Sequence, residues 1–398
     1  MKYFTYFYED ELETLFFQKP KDFNKYSDRE LLSYGLGATL YMPATRPNIH
    51  QDLLSKKHEG LTSLVIDLED AVGDVEVEKA EELLVGELLK LHDEINKKYL
   101  TFDDLPLMFI RIRNIEQFKG IKEQLGNAIE MLTGVVLPKF SAESGEALLS
   151  EVVNIHTENR PFYAMPILES DKIIQKETRM GELMAIKHLL DRYKNNILNV
   201  RIGATDFCGL YGIRRSVDTS VYEIAVLRDC MADIINVFQR SESPYVISGP
   251  VWEYFSSKPR MLKPQLRQTP FRERYGDEGL KWRAELIDQN MDGLIKEVLM
   301  DIANGLTGKT IIHPTHIKAV QALNVVTYEE YIDACSIVEA EKGENGVKKS
   351  NFSNKMNEIK PHLFWAKKVL IKSQLYGVLH EGYTNIDLIK KDVYVYNS

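Results

Sequence analysis

Eight short, mostly apolar runs, separated by longer stretches with helical spacing, limit the folds that this 398-residue chain can adopt. The runs lack regular alternation of apolar and polar residues, which is typical of parallel strands covered on both faces. Strand and helix patterns that repeat eight times predict an α/β protein, a (β/α)8 TIM barrel. An open doubly wound sheet is the alternative, but no glycine-rich phosphate-binding motif follows any run. The predicted strands are Ala38–Met42, Ser63–Asp67, Leu107–Ile112, Gly134–Leu137, Phe162–Leu168, Asn199–Gly203, Tyr245–Ser248 and Thr310–His313.

Two segments lie outside the predicted barrel, which spans residues 36–325. Residues 1–35 form an N-terminal extension. Residues 326–398 contain two helical patterns, Tyr328–Lys342 and Pro361–Leu375, and the polar stretch between them is typical of a flexible linker. We expect this C-terminal part to be a small helical lid or an oligomerisation segment.

The charge balance and the cysteines narrow the functional classes. Lys and Arg number 50 against 59 Asp and Glu, a net charge of −9, which disfavours a nucleic-acid partner. No apolar run reaches the roughly 18 residues of a membrane span, so we expect no membrane association. Cys208, Cys230 and Cys335 are far apart and lack C-x-x-C spacing, which favours free thiols in a reducing compartment. We therefore expect a cytoplasmic protein.

Polar residues follow most of the predicted strands, at the end where TIM barrels carry their chemistry. A charged or titratable side chain follows seven of the eight runs. Glu169 and Asp206 follow adjacent strands, and carboxylates are the ligands that Mg²⁺ prefers. Arg46 and Arg111, on nearby strands, are suited to hold a substrate carboxylate through paired hydrogen bonds. The pattern predicts a small anionic substrate that is bound together with a divalent metal.

Each of these residues taken alone also has a structural interpretation. Asp206 is equally suited to cap the helix that follows it, and the segment Asp67–Asp70 is equally suited to form a solvated turn. Lys139 alone is more typical of a surface lysine, and His313 of a structural hydrogen-bonding residue. It is their joint placement at strand ends that favours a site.

Seven segments, in order within residues 36–340, resemble motifs of the citrate lyase beta subunit and its HpcH/HpaI aldolase relatives. Val65–Val72 reads V-I-D-L-E-D-A-V, against V-x-D-L-E-D-A-V in the family, and Tyr41–Pro47 is similar to F-V-P-G-x-R-P. The other similar segments are Phe109–Ile112, Gly134–Lys139, Leu168–Ser170, Gly203–Arg215 and Gly308–Pro314.

The resemblance implies a TIM barrel that binds Mg²⁺ through Glu169 and Asp206. It also implies that Arg111 acts in catalysis by holding the carboxylate of a 2-oxo acid such as oxaloacetate, pyruvate or glyoxylate. Five more site residues are implied, two that bind substrate and three that orient metal-bound water. They are Arg46 and Lys139 for the substrate, and Asp67, Glu69 and Asp70 for the water.

Members of this family are commonly trimers, so the resemblance implies a homo-oligomer, and a homotrimer in particular. In longer members a C-terminal lid supplies an aspartate to the site of a neighbouring subunit. The segment Gly382–Asp387 is similar to the G-x-M-I-D motif of that lid. Asp387 is therefore a candidate for the residue that transfers the proton.

Together these expectations predict a Mg²⁺-dependent carbon–carbon bond lyase that acts on a 3-hydroxy acid or its acyl thioester, by aldol or Claisen chemistry, and gives a 2-oxo acid. Ala44, Ser170–Lys172 and Ser248–Pro250 depart from the family motifs around the pocket, which leaves the acyl carrier open, coenzyme A included. Two alternatives remain: a thioester-independent, metal-dependent 2-oxo acid aldolase, and a non-catalytic barrel subunit that binds small carboxylates.

Overall fold

One curled sheet of seven parallel strands organises the computed structural model, which describes residues 1–255, 276, 278, 289–341, 347–350, 352 and 356–389. The described strands are β1 (Phe16–Gln18), β2 (Ala38–Pro43), β3 (Ser63–Asp67), β4 (Leu107–Arg111), β5 (Gly134–Leu137), β6 (Tyr163–Leu168), β7 (Arg201–Ile202), β8 (Lys309–Ile311), β9 (Val347–Lys349), β10 (Met356–Glu358) and β11 (Val378–Leu379). The sheet order is β7-β6-β5-β4-β3-β2-β8. Strands that are consecutive along the chain therefore lie side by side, as in a TIM barrel.

The predicted strand Tyr245–Ser248 is replaced in the structure by single bridges that close the barrel. Ile247 bridges Val200 beside β7, and Gly249 bridges the start of β8. Pro250 comes next and has no N–H group to donate, which prevents a longer ladder. The two edges of the sheet are thus joined, and the TIM-barrel prediction is confirmed with one strand reduced to bridges.

Helices cover the outer face of the sheet. The helix Val77–Asn96 buries a stripe of apolar residues that are three or four positions apart, as an amphipathic helix requires. The stripe contains Ala80, Leu84, Leu88 and Leu91. The other described α-helices are Glu9–Leu15, Arg29–Tyr34, Ile49–Leu54, Ile115–Leu125, Ala142–Ile155, Asp171–Ile174, Lys176–Arg192, Ala204–Leu210, Ala225–Phe238, Gln289–Ala303, His316–Leu323, Tyr328–Ala340, Ile359–Tyr376 and Asn385–Ile389.

The N-terminal extension and the C-terminal part pack against each other at the N-terminal ends of the barrel strands. β1 pairs with β11, and the rings of Tyr3 and Tyr376 stack with their centroids 4.4 Å apart. Their hydroxyl groups donate to the carbonyl oxygens of Gly35 and Tyr34, shortly before β2, at 2.7 and 2.8 Å. This part of the C-terminal segment is therefore anchored at the end of the barrel opposite to the predicted site.

The two helical patterns predicted in the C-terminal part are present as Tyr328–Ala340 and Ile359–Tyr376, with the β9–β10 hairpin between them. Parts of the predicted linker and the last residues, at positions 342–346, 351, 353–355 and 390–398, lie outside the described residues. In the part of the chain that is described, no helix combines the length and the apolar character needed to cross a membrane. The domain boundaries at 35 and 325 stay predictions.

Acid is expected to destabilise the protein through His316, at the start of the helix that follows β8. The side chain is 1% exposed, and burial lowers its pKa to about 4. In the unfolded chain the pKa is about 6.5, so the unfolded state binds this proton first as the pH falls. Stability therefore decreases between about pH 6.5 and about pH 4, by up to about 3 kcal/mol.

Urea unfolding at a series of pH values tests this prediction. The substitution His316→Phe is expected to flatten the curve of unfolding free energy against pH in this range, because the titrating group is gone. The substitution His188→Phe, at an exposed position, is the control and should leave the slope unchanged. An unchanged slope in His316→Phe would contradict the prediction.

Candidate active site

Two carboxyl groups meet at the C-terminal ends of the neighbouring strands β6 and β7. Glu169 directly follows β6, and Asp206 lies in the first turn of the helix after β7. Glu169 is 3% exposed, and its Oε1 accepts a hydrogen bond from the backbone N–H of Lys139 at 2.7 Å. Burial, and then the charge of Asp206, raise the pKa of Glu169 to about 8, and burial also raises the pKa of Asp206. The structure thus brings together the two predicted metal ligands.

The carboxylate of Glu169 rests against the backbone of Gly203, in the turn after β7. A Cβ atom at position 203 would lie 2.1 Å from Oε2 of Glu169 and 2.4 Å from its Cβ. Any side chain at this position would therefore displace the glutamate. The glycine of the G-x-x-D segment fixes where Glu169 lies relative to Asp206.

Arg111, at the end of β4, contacts three carboxylates, one at the end of β3 and two in the loop that follows it. Its Nε and Nη2 donate to the two carboxylate oxygens of Asp67, both at 2.6 Å, which is a bidentate pair. Its Nη1 donates to Asp70 at 2.9 Å and lies 3.1 Å from Glu69. The guanidinium group is held in place by carboxylates of the chain itself, and the binding of a substrate carboxylate by Arg111 stays a prediction.

Lys139, directly after β5 and Pro138, links Glu169 to the same loop. Its φ of +46° is a left-handed conformation that is uncommon outside glycine, and its backbone N–H donates to Glu169. Its ammonium group forms an ion pair with Glu69 and lies 3.8 Å from Asp70. The side chain is 56% exposed, so a ligand that enters from solvent can reach it.

Two predicted site residues lie apart from this cluster. Arg46 instead pairs with Asp52 on the next helix, at 2.6 Å. The carboxylate of Asp387 accepts hydrogen bonds from the backbone N–H and the hydroxyl group of Thr384, at 2.8 and 3.2 Å. Leu388, next along the chain, belongs to the apolar cluster that closes the N-terminal end of the barrel. The structure therefore does not bring Asp387 to Glu169 within one chain, and its role at a neighbouring subunit stays a prediction.

Two polar side chains that the sequence analysis did not single out, Tyr41 of β2 and Arg201 of β7, lie inside the barrel. The guanidinium carbons of Arg111 and Arg201 are 5.4 and 5.5 Å from the centroid of the Tyr41 ring. The sequence contains a signal that could have identified Arg201, because it is the one charged residue in the predicted strand Asn199–Gly203. A charge within a strand that is covered on both faces needs a specific reason.

The donors at Glu169 and Asp206 suit a hard divalent cation. Mg²⁺ typically binds one or two protein carboxylates and completes its shell with water and substrate oxygens. The neighbouring hydroxyl group of Ser170 is buried without a hydrogen-bond partner among the described residues. Over the same residues, no group of three or more His, Cys, Asp and Glu side chains is arranged to hold a metal, as a zinc site would require. The residues present therefore fit Mg²⁺ better than zinc.

Residues 30–378 match the family described as C-C bond lyase of the TIM-barrel fold. Because the match covers most of the chain, the protein belongs to this family, and it is a carbon–carbon lyase. The relationship indicated by the sequence motifs is confirmed.

Solved structures show the same fold. The chain resembles CitE from Mycobacterium tuberculosis in complex with magnesium, acetoacetate and coenzyme A, with 17% identity and a TM-score of 0.50, over 85% of this chain and 97% of that one. It also resembles a citrate lyase from Burkholderia xenovorans LB400, with 14% identity and a TM-score of 0.55, over 88% of this chain and 95% of that one. A comparison with curated protein sequences gives no match. At these identities the likeness concerns the fold alone.

Proposed function

We propose that this carbon–carbon lyase depends on Mg²⁺ and cleaves a 3-hydroxy acid or its acyl thioester to give a 2-oxo acid, or catalyses the reverse condensation. The observation that carries the proposal is the meeting of Glu169 and Asp206 at the ends of two adjacent strands, where the Glu169 carboxylate rests against Gly203, three residues before Asp206. Arg111 and Lys139 lie beside them, so the same barrel end offers a cation site and positive charge for an anionic substrate.

In the cleavage direction the bond between the hydroxyl-bearing carbon and the carbon next to the carboxyl or thioester group breaks. The hydroxyl group loses its proton and becomes the oxo group, while the electron pair of the broken bond moves to the neighbouring carbon, which gains a proton. Glu169 and Asp206 would hold Mg²⁺, which supplies Lewis-acid stabilisation of negative charge on substrate oxygens. Asp67 orients Arg111 through its bidentate pair. Lys139, which is open to solvent, binds the anionic substrate as it enters.

The proton-transferring group in this proposal is Asp387 of a neighbouring copy in a homotrimer, with residues 326–398 acting as the lid that carries it. The role of Arg46 in lining the pocket is also taken from the family motif, because in the structure its guanidinium group pairs with Asp52. These assignments rest on the family motif, since Asp387 is anchored away from Glu169 in its own chain. The acyl carrier stays open, and coenzyme A, with which the similar CitE structure is in complex, is the carrier to test first.

The proposal is tested with the full chain, acetyl-coenzyme A and oxaloacetate, pyruvate or glyoxylate, in Mg²⁺ or in EDTA. The expected result is consumption of one 2-oxo acid that requires both Mg²⁺ and the thioester. Turnover without a thioester would instead support the metal-dependent aldolase. If none of the three acids is turned over, and calorimetry with Mg²⁺ detects no binding, the proposal is wrong.

The contact between Gly203 and Glu169 gives a prediction about metal affinity. In the variant Gly203→Ala the new methyl group would overlap the Glu169 carboxylate, so Mg²⁺ affinity is expected to fall at least about tenfold. The control is Gly209→Ala in the following helix, where a Cβ atom meets nothing within 4 Å. The Mg²⁺ concentration needed for half-maximal activity is measured for both variants. The same value in Gly203→Ala and Gly209→Ala would contradict the proposed position of the metal.

A further inference from the structure

The inside of the barrel directly beneath the candidate active site contains a charge that the fold itself does not need. Arg201 is 1% exposed. Its strand partner is Ile167, two residues before Glu169, so it lies about 7 Å below the level of the carboxylates. Most other side chains at this depth are apolar. Val65 and Phe109, for example, belong to the apolar cluster that closes the N-terminal end of the barrel. We call Tyr41 and Arg201 the barrel floor.

Arg201 has no compensating anion among the residues that the structure describes. Its Nη2 donates to the hydroxyl group of Thr310 at 2.7 Å, its Nη1 lies 3.9 Å from the sulfur of Met165, and its Nε is buried without a partner. Burial lowers its pKa, and so does the like charge of Arg111. An unpaired buried cation destabilises a fold, so its presence calls for a ligand of opposite charge.

Tyr41 connects this buried charge to the open end of the barrel. The side chain is partly exposed, and its ring packs against both guanidinium groups, with the guanidinium carbon of Arg201 5.5 Å from the ring centroid. Burial raises the pKa of the phenol, so it keeps its proton and can donate it in a hydrogen bond. Arg201 can only donate to the phenol oxygen, which leaves the hydroxyl hydrogen for another acceptor. The contact of the Tyr41 ring with Arg111, which pairs with Asp67, places Tyr41 next to the candidate site.

We propose that the barrel floor recognises the negatively charged carboxylate of the substrate, with the Tyr41 hydroxyl group as the contacting donor and Arg201 as the positioning residue that polarises it. The inference rests on the proposed function and adds the group that selects the substrate. It also accounts for Arg111, whose hydrogen bonds already go to Asp67 and Asp70.

The test measures binding of pyruvate and of its neutral methyl ester by calorimetry, in Mg²⁺, to the full chain. Tyr41→Phe and Arg201→Met are each expected to weaken pyruvate binding about 10- to 100-fold and to leave methyl pyruvate unchanged. Because Arg201 acts through Tyr41, the double variant should bind pyruvate no more weakly than the weaker single variant. If the double variant weakens pyruvate binding by the product of the two single-variant factors, the two residues act independently and the proposed coupling between Arg201 and Tyr41 is wrong.

Stability provides a readout that separates recognition from a purely structural role. Arg201→Met removes an unpaired buried charge and replaces it with an apolar side chain of similar length, so the urea midpoint should stay equal or rise. A lower midpoint with wild-type pyruvate affinity would show that Arg201 is structural, and the proposal would be wrong.

Failure of the floor and failure of the proposed function give different results. If pyruvate binding is lost in Glu169→Gln but unchanged in Tyr41→Phe and Arg201→Met, the barrel floor does not recognise the carboxylate, while the proposed function is still supported. If the wild-type chain binds neither pyruvate nor oxaloacetate in the presence of Mg²⁺, both fall.

Discussion

The substitution Glu169→Gln is expected to lower the Mg²⁺-dependent lyase activity by about 10³-fold or more, because a neutral amide replaces a charged metal ligand. Glutamine has nearly the same shape, so the contacts with Gly203 and with the backbone of Lys139 survive. The metal-free variant is expected to be as stable as the wild type or more stable, since burial disfavours the charge that the change removes. A loss of activity without a loss of stability is the signature of a functional carboxylate.

Asp206→Asn tests the second ligand in the same way, with kcat and the Mg²⁺ dependence measured together. The matched control is Glu146→Gln, which removes a carboxylate from a surface ion pair with Arg192 at 2.8 Å. That control should keep wild-type turnover and Mg²⁺ affinity. Full turnover in either Glu169→Gln or Asp206→Asn would show that the metal lies elsewhere.

The residues that the sequence located well are those whose position follows from strand direction alone. In a parallel barrel the C-terminal strand ends share one rim, so the sequence alone predicts that Glu169, Asp206 and Lys139 lie close together. The structure agrees: the backbone N–H of Lys139 donates to Glu169 at 2.7 Å, and Asp206 interacts with both Glu169 and the ammonium group of Lys139. That two of them bind a metal stays a prediction.

Side-chain direction was harder to predict. Whether Arg111 faces a ligand or the loop after β3 depends on packing, and the bidentate pair with Asp67 is visible only in three dimensions. Arg201 was overlooked because one charge in an apolar run does not change the pattern that predicts a strand. The segment Tyr245–Ser248 lies where the sequence predicts a strand, but it forms single bridges instead of a continuous strand. The effect of Pro250 on the hydrogen bonds between strands depends on which segments lie beside it, which the sequence does not show.

The lysine of the G-K-x-x-I-H-P segment belongs to a different cluster, which is structural. Lys309, at the start of β8, is fully buried and its Nζ donates to Glu297 at 3.0 Å and to Asp301 at 2.7 Å. Arg215 donates to Glu297 at 2.9 Å, and the hydroxyl group of Tyr222 donates to Asp301 at 2.8 Å. Two cations and two anions thus join β8, the helix Gln289–Ala303 and the segment around Arg215, and each of the four forms a hydrogen-bonded ion pair.

The substitution Lys309→Met is therefore expected to destabilise the protein by about 3–5 kcal/mol, because it leaves a buried negative charge without its partner. Urea unfolding measures the change. Lys367→Met is the control, since it removes a surface ion pair with Glu341 at 3.0 Å and should cost less than about 1 kcal/mol.

A second variant distinguishes charge balance from packing at this position. Lys309→Met combined with Asp301→Asn removes one charge of each sign and leaves the pair of Arg215 and Glu297 in place, so it is expected to recover part of the lost stability. Turnover per folded molecule should stay near the wild-type value in these variants, because the contacts of Lys309 run to Glu297 and Asp301 and not to Glu169 or Asp206. A stability of Lys309→Met within about 1 kcal/mol of the wild type would contradict the buried network, and a selective loss of turnover would place Lys309 in the active site instead.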